Sequence, residues 1–138
     1  REMVKQVNIT LPAFERGFHL IDTYINSACG ELPQTGIMHV FILHTSAGIC
    51  INENADPTVL MDFETVFNKL VPEGMSYYKH DMEGDDDMPA HIKAVMAGTS
   101  VTIPITNGKL HLGTWQGIYL CEFRNRGGNR KLVVSIYS

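Results

Sequence analysis

Imidazole, carboxylate and amide side chains concentrate in three short polar stretches of this sequence. They are His44-Thr45-Ser46-Ala47, Asn52-Glu53-Asn54-Ala55-Asp56, and the segment from His80 to His91 with its run Glu83-Gly84-Asp85-Asp86-Asp87. Three of the six histidines stand in polar, turn-rich or helix-start settings: His44 before Thr45-Ser46, His80 before Asp81, and His91 after Pro89-Ala90. Neutral imidazoles bind zinc and similar divalent ions, and three from separate elements would leave a coordination position open for water or substrate. The spacing matches no local zinc motif. His19, His39 and His111 fall inside regular segments, where a satisfied structural histidine is the expectation.

The acidic run could supply a metal-binding carboxylate or a general base, against the ordinary behaviour of such runs as solvated loops. Asp87 and Glu83 are the candidates for base or for partner of a metal-bound imidazole. Thr45, Ser46 and Asn52 are candidates for orienting a substrate, with Asn52 and Glu53 also placed to orient a metal-bound histidine. Asp56 reads first as a helix cap. Arg124, at a strand end, has planar donors suited to a phosphate, or to an ion pair at a subunit contact. Gly113-Thr114-Trp115-Gln116-Gly117 sets the single tryptophan between glycines, where backbone can approach a ligand or simply make room for the ring.

These residues need a scaffold, and the hydrophobic pattern supplies one. Val7, Ile9 and Leu11 alternate with polar residues as a half-buried strand ended by Pro12. Phe18 to Cys29 carries apolar residues at three- and four-residue steps and predicts a helix closed by Gly30. Ile37–Leu43 and Gly48–Ile51 read as central strands that hold the His44 segment at or beside a strand end. Asp56-Pro57 opens a helix whose apolar face is Val59, Phe63, Val66, Phe67 and Leu70, ending before Pro72. A long loop follows to Pro89, then a short helix over Ala90–Ala97 with Asp87 or a neighbour as cap and Gly98 as terminator. Val101, Ile103 and Ile105, the Asn107-Gly108 turn, and Leu110 and Leu112 predict a hairpin. Tyr119–Phe123 and Leu132–Tyr137, around Arg126-Gly127-Gly128-Asn129, predict another. The sum is one α+β domain over 1–138, a largely antiparallel β-sandwich-like sheet with about three helices.

Composition narrows the function classes. The 138 residues are 44% hydrophobic and 19% charged with net charge -4, the balance of a globular chain large enough for a real core. Only Arg124, Arg126 and Arg130 cluster among the basic residues, so no continuous basic stripe exists and nucleic acid is not an expected partner. No apolar run approaches the roughly 20 residues that span a bilayer, so no membrane partner is expected. Cys29, Cys50 and Cys121 are odd in number, widely spaced and set among apolar neighbours, which suits reduced thiols in the cytoplasm.

Five segments in order then carry a resemblance: His44-Thr45-Ser46-Ala47, Asn52-Glu53-Asn54, Asp56-Pro57, Met88-Pro89-Ala90-His91 and Leu112-Gly113-Thr114-Trp115-Gln116. Together they resemble the YjbQ-like family, described as secondary thiamine-phosphate synthases, over nearly the whole chain. The resemblance implies an α+β sandwich-like fold assembled as a homotrimer, and a divalent metal, zinc by ligand type, held by His44, His80 and His91. It implies a small phosphorylated substrate, and weak joining of a pyrimidine pyrophosphate to a thiazole phosphate. Asp87, Glu83 and Asn52 would then be catalytic, and Thr45, Ser46, Asn54 and Arg124 would bind substrate. The family pattern carries an Asn where this sequence has Gly84–Met88, which leaves open whether Asp86 or Asp87 faces the pocket. Two other functions fit the same residues: a metal-assisted hydrolase, or a non-enzymatic trimer whose metal or anion site serves sensing or stability.

Overall fold

The computed structural model describes residues 3–138. Its elements run β1 (Val4–Thr10), β2 (Gly17–Leu20), α1 (Asp22–Cys29), β3 (Thr35–Ile42), β4 (Ala47–Glu53), α2 (Pro57–Leu70), α3 (Asp87–Ala97), β5 (Ser100–Thr106), β6 (Lys109–Leu110), β7 (Gln116–Glu122) and β8 (Lys131–Tyr137). A five-stranded sheet has the order β1-β8-β3-β5-β6, and a three-stranded sheet the order β2-β7-β4. Every pairing is antiparallel. This is the α+β sandwich with three helices that the hydrophobic pattern predicts. Among the described residues no helix is long and apolar enough to cross a membrane.

Alternation along each strand decides what packs where. Met38, Val40 and Ile42 of β3, Ile103 and Ile105 of β5, and Leu132, Val134 and Ile136 of β8 point inward. There they meet Ala47 and Ile49 of β4 and Ile118 and Leu120 of β7, with Ile25 of α1 closing one side. Each such buried aliphatic side chain contributes about 1.5–3 kcal/mol of burial free energy. Cys121 of β7 and Phe123 just past its end are also buried, against Ala90 and Ala94 of α3 and Phe67 of α2. The small sheet is thus covered on both faces, by the large sheet and by α2 with α3. Gly48 permits that packing: a Cβ there would stand 2.8 Å from the Gly98 carbonyl oxygen and 2.9 Å from Ala97 Cβ.

Local chemistry accounts for several boundaries. Asp56 caps α2 by accepting the Thr58 N–H at 2.9 Å, and Pro57 occupies the first turn. Asn107 and Gly108 both have positive φ, 53° and 76°, as the tight β5–β6 turn requires. Gly98 ends α3 with its N–H on the Ala94 carbonyl.

Four expectations are corrected. The helix expected from Phe18 begins only at Asp22, because Phe18 to Leu20 form β2 and pair with β7; the residues that fit helical spacing serve two elements. The Arg126–Asn129 connector is no hairpin, since β7 and β8 lie in different sheets and this segment carries the chain across the sandwich. Likewise β3 is central in the large sheet while β4 is an edge strand of the small one, so the His44 segment is also a crossing between sheets. Finally α3 starts at Asp87 rather than Ala90, and Asp86 at its N-cap position uses its side chain elsewhere.

Candidate metal centre

The beginning of β4, the end of β7, the first turns of α3 and the loop before it meet at one end of the small sheet. Asp87 and His91 lie four residues apart on one face of α3, and His80 reaches them from the loop. His80 Nε2 is 2.6 Å and His91 Nε2 3.2 Å from the same oxygen, Asp87 Oδ2. The three ligand atoms lie within 4.8 Å of one another, a group able to hold a metal ion. His91 Nδ1 is 2.9 Å from the Thr45 carbonyl oxygen. A carbonyl only accepts, so Nδ1 carries the proton; Nε2 donates to Asp87 Oδ2 when the ring is protonated and presents a lone pair beside it when the ring is neutral. With both histidines deprotonated at Nε2 the three groups could share a cation, and a carbonyl fixing the distal nitrogen is the usual outer partner of a metal-bound imidazole. Glu83 Oε2 stands 3.0 Å from His80 Nε2 on the solvent side, with 64% of its side chain exposed.

Arg124 organises the acidic side of this group. Its Nε donates to Asp86 Oδ2 at 2.9 Å, its Nη1 donates to Asp87 Oδ1, and its Nη2 donates to the Glu83 carbonyl at 2.9 Å. Asp86 Oδ2 also accepts the Asn125 N–H. Burial pushes the Asp87 carboxyl up, but the His80 hydrogen bond, Arg124 and His91 outweigh it and hold the group below the ordinary aspartate value. Asp86 is held low in the same way: burial raises it, and the Asn125 N–H and Arg124 together overcome that. Asp87 is therefore the member of the acidic run that faces the histidines, and Asp86 is a strut. The N-terminal position of Asp87 on α3 adds the favourable end of the helix dipole.

Beneath both halves of the group lies Glu122, with no exposed surface. It accepts from Arg130 Nε at 2.7 Å, from Arg130 Nη2 at 2.6 Å and from the Arg124 N–H at 3.2 Å. Arg130 Nη2 also donates to Ser46 Oγ at 3.0 Å, which fixes the segment whose Thr45 carbonyl orients His91. Gly127 wraps this carboxylate so closely that any Cβ there would collide with it. Neither Glu122 nor Arg130 stands out in the sequence as functional. The signal was there: Glu122 continues the alternation of an otherwise apolar strand into a buried position.

The remaining candidates are distributed differently from expectation. His44 lies outside the ligand group, since its Nε2 accepts the Lys131 N–H at 2.8 Å. Burial and the neighbouring Arg130 charge hold His44 below the ordinary histidine value. Thr45 contributes its backbone carbonyl, and the Ser46 hydroxyl is buried against Arg130. Arg124 donates from each of its three guanidinium nitrogens to groups of this chain, Asp86, Asp87 and the Glu83 carbonyl, so it is engaged in holding the acidic segment. Asn52 and Asn54 lie at the other end of β4, about 20 Å away at a strand's rise per residue. There Asn52 Oδ1 accepts the Glu53 N–H, while the Asn54 N–H and Nδ2 donate to the Trp115 and Gln116 carbonyls. That join ties Asn52-Glu53-Asn54 to Gly113-Thr114-Trp115-Gln116 and leaves Trp115 62% exposed. His19, His39 and His111 have local partners, namely the Glu15 carbonyl, the Phe41 ring and the Thr106 hydroxyl.

Fold and site together define a class: an α+β double-sheet sandwich with a His–Asp–His group where helix meets sheet edge. The family model for the UPF0047 protein YjbQ-like family matches residues 7–138, and the chain belongs to that family. It is 49% identical over 133 residues to the UPF0047 protein YjbQ of Salmonella typhimurium, covering 95% of this chain and 96% of that one. A UPF0047 protein of Methanocaldococcus jannaschii is 45% identical over 104 residues, covering 75% and 72%. The crystal structure of an uncharacterized YjbQ/UPF0047 protein from Clostridium acetobutylicum aligns with a TM-score of 0.82 and 42% identity, covering 94% and 98%. A conserved hypothetical protein from Thermus thermophilus aligns with a TM-score of 0.80 at 32% identity, covering 93% and 97%.

Proposed function

We propose that His80, Asp87 and His91 hold a divalent metal, zinc by ligand type, and that the protein is a metal-assisted hydrolase. The observation that carries this reading is the gathering of His80 Nε2, Asp87 Oδ2 and His91 Nε2 within 4.8 Å of one another, with the His91 ring held from behind by its Nδ1–H on the Thr45 carbonyl. Two imidazoles and a carboxylate would leave room beside such an ion for water or substrate, and the ion would supply Lewis-acid activation there. Glu83 Oε2, exposed beside His80 Nε2, is the base that takes up the proton of an attacking water. Arg124 locks Asp87 in place and keeps its carboxylate ionised. A pocket of about 240 Å³ opens against His80, lined also by Ser76, Tyr78, Asp81 and Asp85, and admits a small substrate.

Hydrolysis is favoured over joining two phosphorylated heterocycles. Release of pyrophosphate asks for cations around the leaving group. Arg124 is spent on carboxylates, and among the described residues the pocket lining contains no lysine or arginine. A small phosphate monoester, whose charge the metal itself would have to neutralise because the pocket lining supplies two aspartates and no basic side chain, is the first substrate class to test. Homotrimer assembly belongs to the same proposal and is supported by the outer face of the large sheet. Ile37 (46% exposed), Phe41 (40%) and Tyr137 (46%) form an uncovered apolar strip there, with Ile37 directly opposite Tyr137.

The test is zinc titration calorimetry of the wild type and of a His80→Ala/His91→Ala variant, followed by a phosphate-ester hydrolysis screen of the metal-loaded protein. One ion per chain, lost in the variant, with turnover abolished by Glu83→Gln while the ion stays, is the expected result. Absence of binding, or binding unchanged in the variant, refutes the metal centre. Binding without turnover, together with a metal-dependent rise in melting temperature, refutes the enzyme reading and supports the sensing or stabilising one.

A further inference from the structure

Cys50 of β4 and Cys121 of β7 face α2 and α3, on the side of the small sheet away from the sandwich core. Their sulfurs are 3.4 Å apart, with Cys121 donating to Cys50. Cys121 is fully enclosed, whereas Cys50 is half-buried and forms part of a cleft of about 110 Å³. The rest of that lining is Phe18, Ile51, Asn52, Phe63, Phe67 and Ala97, so three aromatic rings surround one reachable thiol. The third cysteine, Cys29, is buried in the sandwich core.

The strand register limits what this pair can do. Cys121 lies opposite Gly48 and Cys50 opposite Tyr119, so the cysteines are diagonal rather than facing. Diagonal partners on adjacent strands stand about 7–8 Å apart, beyond the Cα separation of about 4.4–6.8 Å that a disulfide tolerates. Closing a disulfide across that diagonal would need backbone movement, and at rest the pair is two thiols, the buried one placed to hydrogen-bond the reachable one. That donation lowers the Cys50 pKa against the opposing effect of burial.

We propose that Cys50 is a covalent modification site for small apolar α,β-unsaturated carbonyl compounds, with the Cys121 S–H as its activating donor and the aromatic cleft as the binding surface. The Cys50 sulfur bonds to the β-carbon, the carbon–carbon π pair moves to the carbonyl as an enolate, and the α-carbon takes a proton from water. The Cys50 proton goes to water in exchange. Nothing is oxidised or reduced and no group leaves, so the product has the mass of protein plus reagent. Charged reagents are excluded by an apolar cleft with Asn52 as its one polar side chain.

The experiment treats the full chain with 2-cyclohexen-1-one and, separately, with iodoacetate, and follows intact mass and peptide maps. A single enone adduct on Cys50, formed faster relative to N-acetylcysteine than the iodoacetate product is, supports the proposal. In Cys121→Ala, checked for folding by circular dichroism, the Cys50 rate falls roughly two- to tenfold, the span of one lost hydrogen bond. Should that variant not fold, the pH–rate profile of the wild type decides instead, with a Cys50 midpoint below that of N-acetylcysteine expected. Primary labelling at Cys29 or Cys121, iodoacetate reacting as well as the enone, an unchanged rate in a folded Cys121→Ala, or an unshifted midpoint overturns it. Loss of 2 mass units on mild peroxide treatment, localised to Cys50 and Cys121, would also overturn it by showing that the pair closes to a disulfide.

Discussion

Glu122→Gln is the most informative single substitution in this fold. The wild-type carboxylate is wholly buried, faces the buried Arg130 guanidinium through two hydrogen bonds of 2.6–2.7 Å, and accepts the Arg124 N–H. Glutamine has nearly the same shape and keeps one acceptor, but it leaves a buried cation uncompensated. Removing one partner of such a pair costs about 3–5 kcal/mol, and the retained acceptor places this change near 3 kcal/mol. For a chain of this length that is a drop of about 10 °C in melting temperature, against a typical domain stability of about 5–15 kcal/mol, so the variant still folds. Arg130, less firmly held, would also hold Ser46 and the Thr45 carbonyl behind His91 less firmly, so if the histidines bind zinc as proposed, zinc affinity should fall about 10- to 100-fold. Urea titration at pH 7 measures the first effect and calorimetry the second. Adding Arg130→Met should recover part of the lost stability, because the uncompensated charge is gone. A loss under about 1 kcal/mol, or an additive further loss on adding Arg130→Met, would refute the claim that this pair fixes the site.

Other outcomes follow from single contacts. Asp56→Ala removes the α2 cap on Thr58 and should lower the urea midpoint, with the helix otherwise intact by circular dichroism. Gly48→Ala drives a methyl into the Gly98 carbonyl and Ala97, so about 1–3 kcal/mol should be lost as α3 is pushed off the sheet. His44 has a folded pKa below its unfolded value, so its contribution is complete above about pH 6.5 and is lost as pH falls through the lower folded value. His44→Asn should accordingly show a flatter urea midpoint than wild type between pH 7 and 5. Asp86 and Asp87 are also held low, so their contributions are present above about pH 4 and disappear in stronger acid. Asp87→Asn should flatten that acid limb, and a midpoint curve identical to wild type would contradict the assigned ion pairs.

The amino-acid sequence by itself determined the secondary elements and the chemical character of the site. Period-two alternation marked β1 and β5, a β-branched apolar run marked β3, Asp56-Pro57 marked the start of α2, and Asn107-Gly108 marked its turn, because each depends on contacts within a few residues. Setting and side-chain type drew His80 and His91 into the candidate set together with His44, and left open whether Asp86 or Asp87 faces them, since a polar loop entering a helix is a local feature but its partners are not. The YjbQ-like resemblance was also legible, and the matched family bears it out. Spatial company was not legible. His44 shares a motif with Thr45 yet turns to the Lys131 N–H, and Asn52 and Asn54 sit at the far end of a strand from the histidines. Only the tertiary structure decided that β7 and β8 separate into two sheets, that Phe18 to Leu20 pair as β2, and that Glu122 and Arg130 meet eight residues apart in the interior. The physical reason is common to all of these. Strand partnership and buried charge pairing are settled by which distant surfaces must leave water together, and no local spacing in the chain encodes that choice.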